Sequence, residues 1–233
     1  MIGILIPAHN EEALLANCLQ STLMAAAHPQ LEGEAVRVIV ILDSCSDRSA
    51  EIAACFDVSV LQIEAQNVGA ARALGAQWLL ERGARWISCT DADSLVADDW
   101  LVAQLALKVD AVCGTVRVDD WGELIDAATQ SRYLNAYEAR DGHRHIHGAN
   151  LGFSAKAYLQ AGGFLPLTCH EDVHLVKQLQ ASGATIAWSH RPKVITSARL
   201  DCRAQGGFGD YLKSLLRSPI PDQHQSNPRN GTL

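Results

Sequence analysis

Short runs of apolar residues alternate with helical patterns along the N-terminal half of the chain. The apolar runs, several of them rich in Val and Ile, predict strands near residues 2–6, 36–42, 58–63 and 85–90. The stretches between them predict helices near residues 11–27, 47–55 and 68–82. Because each run is nearly all apolar, we expect strands that helices cover on both faces. The pattern therefore predicts an α/β fold with a Rossmann-like, mostly parallel sheet.

The C-terminal half has a less regular pattern. It predicts, in order, a helix near 98–108, a strand at 111–118, a polar helical stretch at 121–140, a strand at 148–153 and a helix from Ser154. Then follow a helix from His170 to Ser182 and two extended segments, 184–189 and 193–198. Residues 219–233 are rich in Pro, Asn, Gln and Ser and have little to bury, so we expect a disordered tail there.

Length and charge narrow the class of protein. The 233 residues carry a formal net charge of −7, with 48% hydrophobic and 19% charged residues. This composition is typical of one globular domain, here residues 1–218, with halves at 1–95 and 96–218. Because the chain is acidic and has no block of Lys or Arg, it gains no counterion-release energy from nucleic acid, which is therefore not expected as a partner.

The cysteines and the N-terminus bear on location. The seven cysteines are scattered and include no CxxC pair, which argues against a disulfide framework and favours a reducing, cytoplasmic location. The chain reaches His9 and Asn10 too soon for a signal peptide, and no run approaches the ~20 apolar residues of a membrane span. We expect no integral membrane segment, while peripheral membrane attachment and the oligomeric state stay open.

Asp91-Ala92-Asp93 comes directly after the apolar run that ends at Thr90. Alternate side chains of extended backbone share a face, so both carboxylates can project from the carboxyl end of a strand, where open α/β sheets bind ligands. Two hard oxygen ligands at that place suit Mg²⁺ or Mn²⁺ bridging to a diphosphate. A turn with helix capping explains the same three residues, so neighbouring features have to decide.

Three other segments follow predicted strands or open predicted helices. The first strand ends in PAHNEE, where Asn10 would cap a helix with Glu11 in its first turn, and the second strand ends in Asp43. NVGAARALG at 67–75 opens a helix with small residues, which lets backbone approach a ligand, and places Arg72 one turn inside. Capping or packing explains each feature singly, whereas their order along four consecutive strands indicates a ligand site.

Seven segments of the chain resemble the motifs of family 2 glycosyltransferases with the GT-A fold, and they occur in the order of that family and near its spacing. They cover roughly residues 1–200 and are PAHNEE, ILDSCSDRS, NVGAARALG, DAD, GANLGF, GGF and HED. The resemblance implies a UDP- or GDP-sugar donor held by the N-terminal half and a hydroxyl acceptor held by the C-terminal half. It implies that Asp43 recognises the base, that Arg72 lies near base or phosphate, that Asp91 contacts ribose or metal, and that Asp93 is the direct ligand of the divalent ion. The implied donor contacts are Pro7, Ala8, Asn10, Glu11, Asp43, Asn67, Arg72, Asp91, Ala92 and Asp93.

On the acceptor side, Glu171-Asp172 matches the element whose Asp is the catalytic base of the family. Neighbours on a helix point about 100° apart, so only one of the two can face the sugar, and Asp172 is the choice. The resemblance then implies a single displacement with inversion at the anomeric carbon. It places Gly148, Asn150 and Glu171 beside the acceptor. Arg199 and Arg203 flank a Gly-rich loop and could clamp the diphosphate, although an ordinary surface loop explains them equally well.

Two departures from the family pattern affect the prediction. Many GT-A enzymes place a metal-binding His after the ED helix and its strand, but residues 197–199 are Ser-Ala-Arg here. The metal ligands from the chain are then Asp93 and Asp91, with diphosphate and water. The QxxRW element and the membrane helices of polysaccharide-polymerising members do not occur in the sequence, so we expect one sugar per acceptor, without processive synthesis.

Other interpretations remain at this point. Residues 170–174, His-Glu-Asp-Val-His, formally match the HExxH helix of zinc proteases, although a charged Asp stands in the middle and no clear third ligand follows. His143, His145 and His147 could bind a transition metal if their segment is extended. A nucleotide-sugar-binding protein without transfer activity, or a nucleotidylyltransferase, would keep the same fold, but the acidic PAHNEE segment disfavours the latter.

Overall fold

Strands and helices alternate along the chain. The computed structural model describes residues 1–122, 125–167 and 169–199, together with Lys213 and Leu216; the predicted tail at 219–233 lies outside the described residues. The strands are β1 (Ile2–Ala8), β2 (Val36–Asp43), β3 (Ser59–Ile63), β4 (Trp86–Cys89), β5 (Leu95–Val96), β6 (Ala111–Arg117), β7 (Leu151–Ser154) and β8 (Ile186–Ile195). The helices are α1 (Leu15–Ala26), α2 (Ser49–Ala53), α3 (Val68–Glu81), α4 (Trp100–Leu105), α5 (Ala127–Ala136), α6 (Ala155–Gln160) and α7 (Glu171–Ala181).

The eight described strands form one sheet in the order β3-β2-β1-β4-β7-β6-β8-β5. β1 pairs in parallel with β2 and with β4, β2 pairs in parallel with β3, and β6 pairs in parallel with β8. β7 runs antiparallel to β4 and β6, and the short β5 runs antiparallel to β8. The sheet is therefore mostly parallel, and both halves of the chain contribute strands to it.

Helices cover both faces of this sheet, as predicted. On one face, Ile4 and Ile6 of β1 pack with buried residues of α1 and α4. On the other face, Leu5 of β1 and Ile41 of β2 pack with α3, α6 and α7. Both faces of β1 are thus buried, which explains why the strand is apolar at almost every position. The edge strand β3 differs, because its residues alternate between half-buried and exposed.

The loops that carry the predicted site leave the sheet at one edge. β1, β2 and β4 run in the same direction, so Ala8, Asp43 and Cys89 end there. β7 runs the other way and pairs Leu151 with Cys89, so the residues before β7 lie at the same edge. β8 is parallel to β6, which is antiparallel to β7, so the chain after Ile195 leaves from this edge too. The carboxyl edge of a parallel sheet is where open α/β folds bind ligands.

The first helix begins later than predicted. It starts at Leu15, whereas capping by Asn10 would start it at residue 11. Asn10 has a left-handed backbone (φ 54°), and its side-chain oxygen accepts a hydrogen bond from the amide of Ser46 instead of capping the helix. A contact with the loop after β2 thus replaces the local cap.

The two extended segments predicted near residue 190 form a single strand, β8. Its register with β6 shifts: Gly114 pairs with Ser189, but Thr115 pairs with Lys193. Residues 190–192 therefore have no partner on β6 and bulge out of the ladder. Pro192 is one of them, and a proline cannot donate to a ladder.

The helices of the described residues are short, and α3, with 14 residues, is the longest of them. None of these helices combines the length and the apolar character that a membrane crossing requires.

Candidate active site

Asp43, the last residue of β2, fixes the segment that leads into α3. Its two carboxylate oxygens accept hydrogen bonds of 2.7–2.8 Å from the amides of Ala65, Gln66 and Asn67. Burial alone would raise the pKa of Asp43, but the three amides together outweigh it and hold the pKa below its ordinary value. The predicted base-recognising carboxylate is thus ionised, nearly buried, and committed to the loop before α3.

Asn67 connects the start of α3 to the C-terminal half. Its Oδ1 accepts a hydrogen bond of 2.9 Å from the amide of Ala70, which caps the helix. Its Nδ2 donates to the carbonyl of Pro166 over 3.2 Å. A Cβ at Gly69 would lie 2.2 Å from the carbonyl oxygen of Leu165, so only glycine fits there. Gly69, in the first turn of α3, therefore allows this neighbouring loop to pack against the helix.

The loop after β1 is tied to the loop that leads into α2. The amide of Glu11 donates to the Ser49 hydroxyl over 2.8 Å, and Asn10 holds the amide of Ser46 over 2.7 Å. These two bonds keep the Glu11 carboxylate at the carboxyl edge of the sheet, where it is nearly buried.

Arg199 binds two carboxylates of the site at once. Its Nη1 and Nη2 donate to the Glu11 carboxylate over 2.9 and 2.8 Å, and Nη2 also donates to Asp93 Oδ2 over 2.8 Å. Burial would lower the pKa of Arg199, but the two carboxylates outweigh it and raise the pKa above its ordinary value. A guanidinium group, where the family pattern has a metal-binding His, therefore lies against the predicted metal ligand. Arg203 lies outside the described residues.

Asp91 and Asp93 follow β4, with Ala92 buried between them. Asp91 Oδ1 accepts a hydrogen bond of 2.6 Å from Arg72 Nη2, and Asp93 Oδ1 accepts one of 3.2 Å from the Ser94 hydroxyl. Loss of solvation in the surrounding protein raises the pKa of both carboxylates, and the negative charge of Asp91 raises the pKa of Asp93 further. The Asp91 side chain nevertheless keeps 38% of its surface exposed, so it is open to a ligand.

Arg72 lies beneath the site rather than on its surface. Its side chain is 3% exposed, and its two terminal nitrogens bind Asp91 and Glu171. Burial would lower the pKa of Arg72, but these two carboxylates outweigh it and raise the pKa above its ordinary value. The expected contact with base or phosphate is replaced by a buried bridge between two carboxylates.

Glu171 and Asp172 open α7 and point in different directions. Glu171 is 6% exposed and bound to Arg72, so it is not positioned beside an acceptor as expected. Asp172 stays half-buried; its Oδ2 accepts the Gly148 amide over 2.8 Å and its Oδ1 accepts the Val173 amide over 2.7 Å. Of the two neighbours, Asp172 is the carboxylate that solvent reaches.

Asn150, expected beside the acceptor, is a core residue. It is fully buried, and its Nδ2 donates to the carbonyls of Thr115 and Pro192 over 2.7 and 2.9 Å. Its Oδ1 accepts a hydrogen bond of 2.9 Å from the indole of Trp100. These three hydrogen bonds join Asn150 to β6, β8 and α4. Ala8 is likewise buried in the core.

The three histidines of the 143–147 segment form a stack. The His145 ring lies 5.5 Å from that of His143 and 6.0 Å from that of His147, measured between centroids. Burial, with smaller contributions from the other two imidazoles, lowers the pKa of His147 to about 3. Among the described residues, no three His, Cys, Asp or Glu side chains are arranged to hold a metal ion. The alternative of a transition-metal site at these three histidines therefore has no support in the described residues.

The zinc-protease interpretation of residues 170–174 is wrong. It requires His170 and His174 one turn apart on a helix. His170 has a left-handed backbone (φ 59°) and precedes α7, which starts at Glu171, and Glu171 is bound to Arg72. The Glu171 carboxylate, which would have to activate a water in such a site, is therefore not free to do so.

Two neighbours of the predicted residues had no functional signal in the sequence. The Ser94 hydroxyl lies within hydrogen-bonding distance of Asp93 and of Thr196, 3.0 Å away, so it links the DAD loop to the segment before Arg199. The Phe164 ring, from the GGF element, has its centroid 5.9 Å from the Arg72 guanidinium carbon. Only position in the sequence, Ser94 next to DAD and Phe164 within GGF, pointed towards them.

The sheet order and this edge define an α/β protein with the GT-A fold, the fold of the similar solved structures. S. aureus TarS 1–349 in complex with UDP-GlcNAc is similar in structure, with a TM-score of 0.65 and 14% sequence identity over 89% of this chain and 61% of that chain. The mannosyltransferase PcManGT from Pyrobaculum calidifontis, in complex with GDP-Man and Mn²⁺, gives a TM-score of 0.60 and 18% identity over 85% of this chain and 57% of that one. Glucosyl-3-phosphoglycerate synthase from Mycobacterium tuberculosis, in complex with Mn²⁺, UDP and phosphoglyceric acid, gives a TM-score of 0.60 and 16% sequence identity over 93% of this chain and 77% of that chain.

The family assignment comes from the sequence. The model of glycosyl transferase family 2 matches residues 3–160, more than half of the chain, and the chain belongs to that family. No curated protein sequence matches it significantly. The chain spans 61% of the length of the TarS 1–349 fragment.

Proposed function

We propose that this chain transfers one sugar from a nucleoside-diphosphate sugar to an acceptor hydroxyl, with inversion at the anomeric carbon and with Mg²⁺ or Mn²⁺ as cofactor. The observation that carries the proposal is the contact of a single guanidinium with both sides of the site. Arg72 binds Asp91, on the proposed donor side, and Glu171, the sequence neighbour of the proposed base. Residues 1–95 would hold the donor and residues 96–218 the acceptor.

The charge of the site supports a divalent cofactor. Two guanidinium groups, those of Arg72 and Arg199, lie among five carboxylates, those of Glu11, Asp91, Asp93, Glu171 and Asp172. Negative charge is thus in excess before an anionic donor arrives. Carboxylate oxygens are the hard ligands that Mg²⁺ and Mn²⁺ prefer. The donor atoms of Asp91 and Asp93 therefore fit such an ion, with diphosphate and water as its remaining ligands.

The cofactor and the arginine act on the leaving group. When bound, the divalent ion neutralises charge on the departing diphosphate as a Lewis acid. Arg199, 32% exposed, is the proposed second contact with the diphosphate, because its guanidinium lies beside Asp93 and two parallel N–H groups suit phosphate oxygens. Asp43 holds residues 65–67 at the place proposed for the base of the nucleotide.

Asp172 is the proposed catalytic base. An acceptor hydroxyl becomes nucleophilic as its proton leaves, and a carboxylate within hydrogen-bond reach takes that proton. The amides of Gly148 and Val173 fix the Asp172 carboxylate, while its side chain stays accessible. The acceptor oxygen then forms a bond to the anomeric carbon as the bond to the diphosphate breaks, and attack from the opposite side inverts the configuration.

Binding and turnover test this function separately. Thermal shift and calorimetry with UDP and GDP, each with and without Mn²⁺, should show one nucleotide that raises the melting temperature only with the metal. Incubation with a panel of UDP- and GDP-sugars should then release the nucleoside diphosphate slowly, as donor leaks to water. Binding without release would indicate a nucleotide-sugar-binding protein. Equal affinity with and without Mn²⁺ would remove the metal from the proposal.

A further inference from the structure

The Arg72 guanidinium is enclosed on every side that the structure describes. Nη1 binds Glu171, Nη2 binds Asp91 over 2.6 Å, and the side chain is 3% exposed. The remaining nitrogen, Nε, is buried and has no hydrogen-bond partner among the described residues. A donor cannot reach this cation without displacing one of the two carboxylates. Any effect of Arg72 on the reaction therefore has to act through the residues that it contacts, such as Glu171 and Asp91.

Gly148 is the third group packed on this cation. A Cβ built on Gly148 would lie 2.0, 2.2 and 2.3 Å from Nη1, Nη2 and Cζ of Arg72. Gly148 therefore packs directly against the two terminal nitrogens of Arg72, where there is no room for a side chain. The amide of the same residue donates to Asp172 Oδ2 over 2.8 Å.

The cation thus reaches Asp172 by two routes. Through Glu171 it holds the first turn of α7, the turn that carries Asp172. Through Gly148 it supports the amide that orients the Asp172 carboxylate. Its other terminal nitrogen is fixed by Asp91, on the donor side of the same edge. A planar, forked cation can satisfy two carboxylates in fixed directions, which the single ammonium of a lysine cannot do.

We propose that Arg72 is a positioning residue that fixes the Asp172 carboxylate relative to the donor-side loop, by holding Glu171 and Asp91 and by supporting Gly148. The inference rests on the proposed function, in which Asp172 is the base. Nucleotide affinity should then be nearly independent of Arg72, whereas turnover should depend on it. This differs from a cation that binds the base or the diphosphate.

Arg72→Lys tests this, because lysine keeps the charge and loses the fork. We expect kcat for release of nucleoside diphosphate to fall about tenfold or more, since small displacements of a reacting group are costly. The Kd for UDP or GDP with Mn²⁺ should stay within about threefold. Arg85→Lys is the matched control: Arg85 forms a forked pair with Glu34 on the surface, and its kcat should equal that of the unaltered protein. A tenfold weaker Kd with kcat preserved, or no change in either quantity, would overturn the proposal.

A second measurement does not depend on turnover. Hydrogen exchange of the Gly148 amide, followed by NMR, should be about tenfold faster in Arg72→Lys, because the support beneath the amide is altered. The amides of Ala65 and Gln66, which Asp43 holds, should exchange at their original rates. Unchanged exchange at Gly148 would overturn the positioning role. Absence of nucleotide binding and release in the unaltered protein would instead count against the proposed function alone.

Discussion

The backbone amide of Gly148 donates a hydrogen bond of 2.8 Å to Asp172 Oδ2. This contact joins the turn before β7 to the first turn of α7, and with the Val173 amide it fixes both oxygens of the carboxylate. Hydrogen bonds to an ionised acceptor are short and directional. The side chain proposed as the base is therefore held in one orientation before any acceptor arrives.

Asp172→Asn should lower turnover by about 10²- to 10⁴-fold, the usual effect of removing a general base. The amide has nearly the same shape and can still accept the bond from Gly148, so affinity for UDP or GDP with Mn²⁺ should not change. Turnover is measured as nucleoside diphosphate release and affinity by calorimetry. Asp57→Asn, at an exposed position, is the control. A variant with near-normal turnover would refute the assignment of Asp172.

Arg199→Gln should strengthen Mn²⁺ binding in the absence of nucleotide. The guanidinium neutralises Asp93 and Glu11, and a divalent ion has to compete with it for Asp93. A partly exposed pair contributes roughly 1 kcal/mol, so the gain should be about fivefold. Electron paramagnetic resonance of free Mn²⁺ measures it, with the exposed Arg191→Gln as control. Unchanged or weaker Mn²⁺ binding would show that Arg199 and the metal do not share Asp93.

Asn150→Ala should destabilise the fold by about 2–4 kcal/mol, because it leaves three buried polar groups without their partner. Those groups are the Trp100 indole and the carbonyls of Thr115 and Pro192. Urea unfolding measures the change, and Asn135→Ala, on the exposed side of α5, should be close to neutral. A stable Asn150→Ala variant with altered acceptor use would restore the acceptor role expected from the motif.

Asp43→Asn should reduce stability at neutral pH by about 1–3 kcal/mol, because the ionised carboxylate accepts three amides. The pKa of Asp43 is lower in the folded protein than in the unfolded chain. The stabilisation is therefore complete above the unfolded pKa of about 3.9 and is lost as the pH falls through the folded pKa. Urea unfolding of both proteins between pH 2 and pH 7 should show a difference that narrows below about pH 4. A difference independent of pH would mean that the charge has no part in it.

Much of the fold follows from local pattern. β1, β2 and β4 appear where apolar runs predicted them, because burial on both faces requires a continuous run of apolar residues. The start of α1 could not be obtained in this way. Asn is a residue type that often caps helices. The side chain of Asn10 instead accepts a hydrogen bond from the amide of Ser46, which is 36 residues away in the sequence.

The sequence by itself determined the class of the protein and the list of charged residues, because the order of its motifs along the chain does not depend on how the chain folds. The tertiary structure alone decided which charges meet. Arg72 and Glu171 are 99 residues apart, and Arg199 and Glu11 are 188 residues apart. Ion pairing depends on distance in space, and here strands from the two halves of the chain set that distance by joining one sheet. That is why a predicted donor contact became a buried bridge, and why a predicted metal ligand is paired with an arginine.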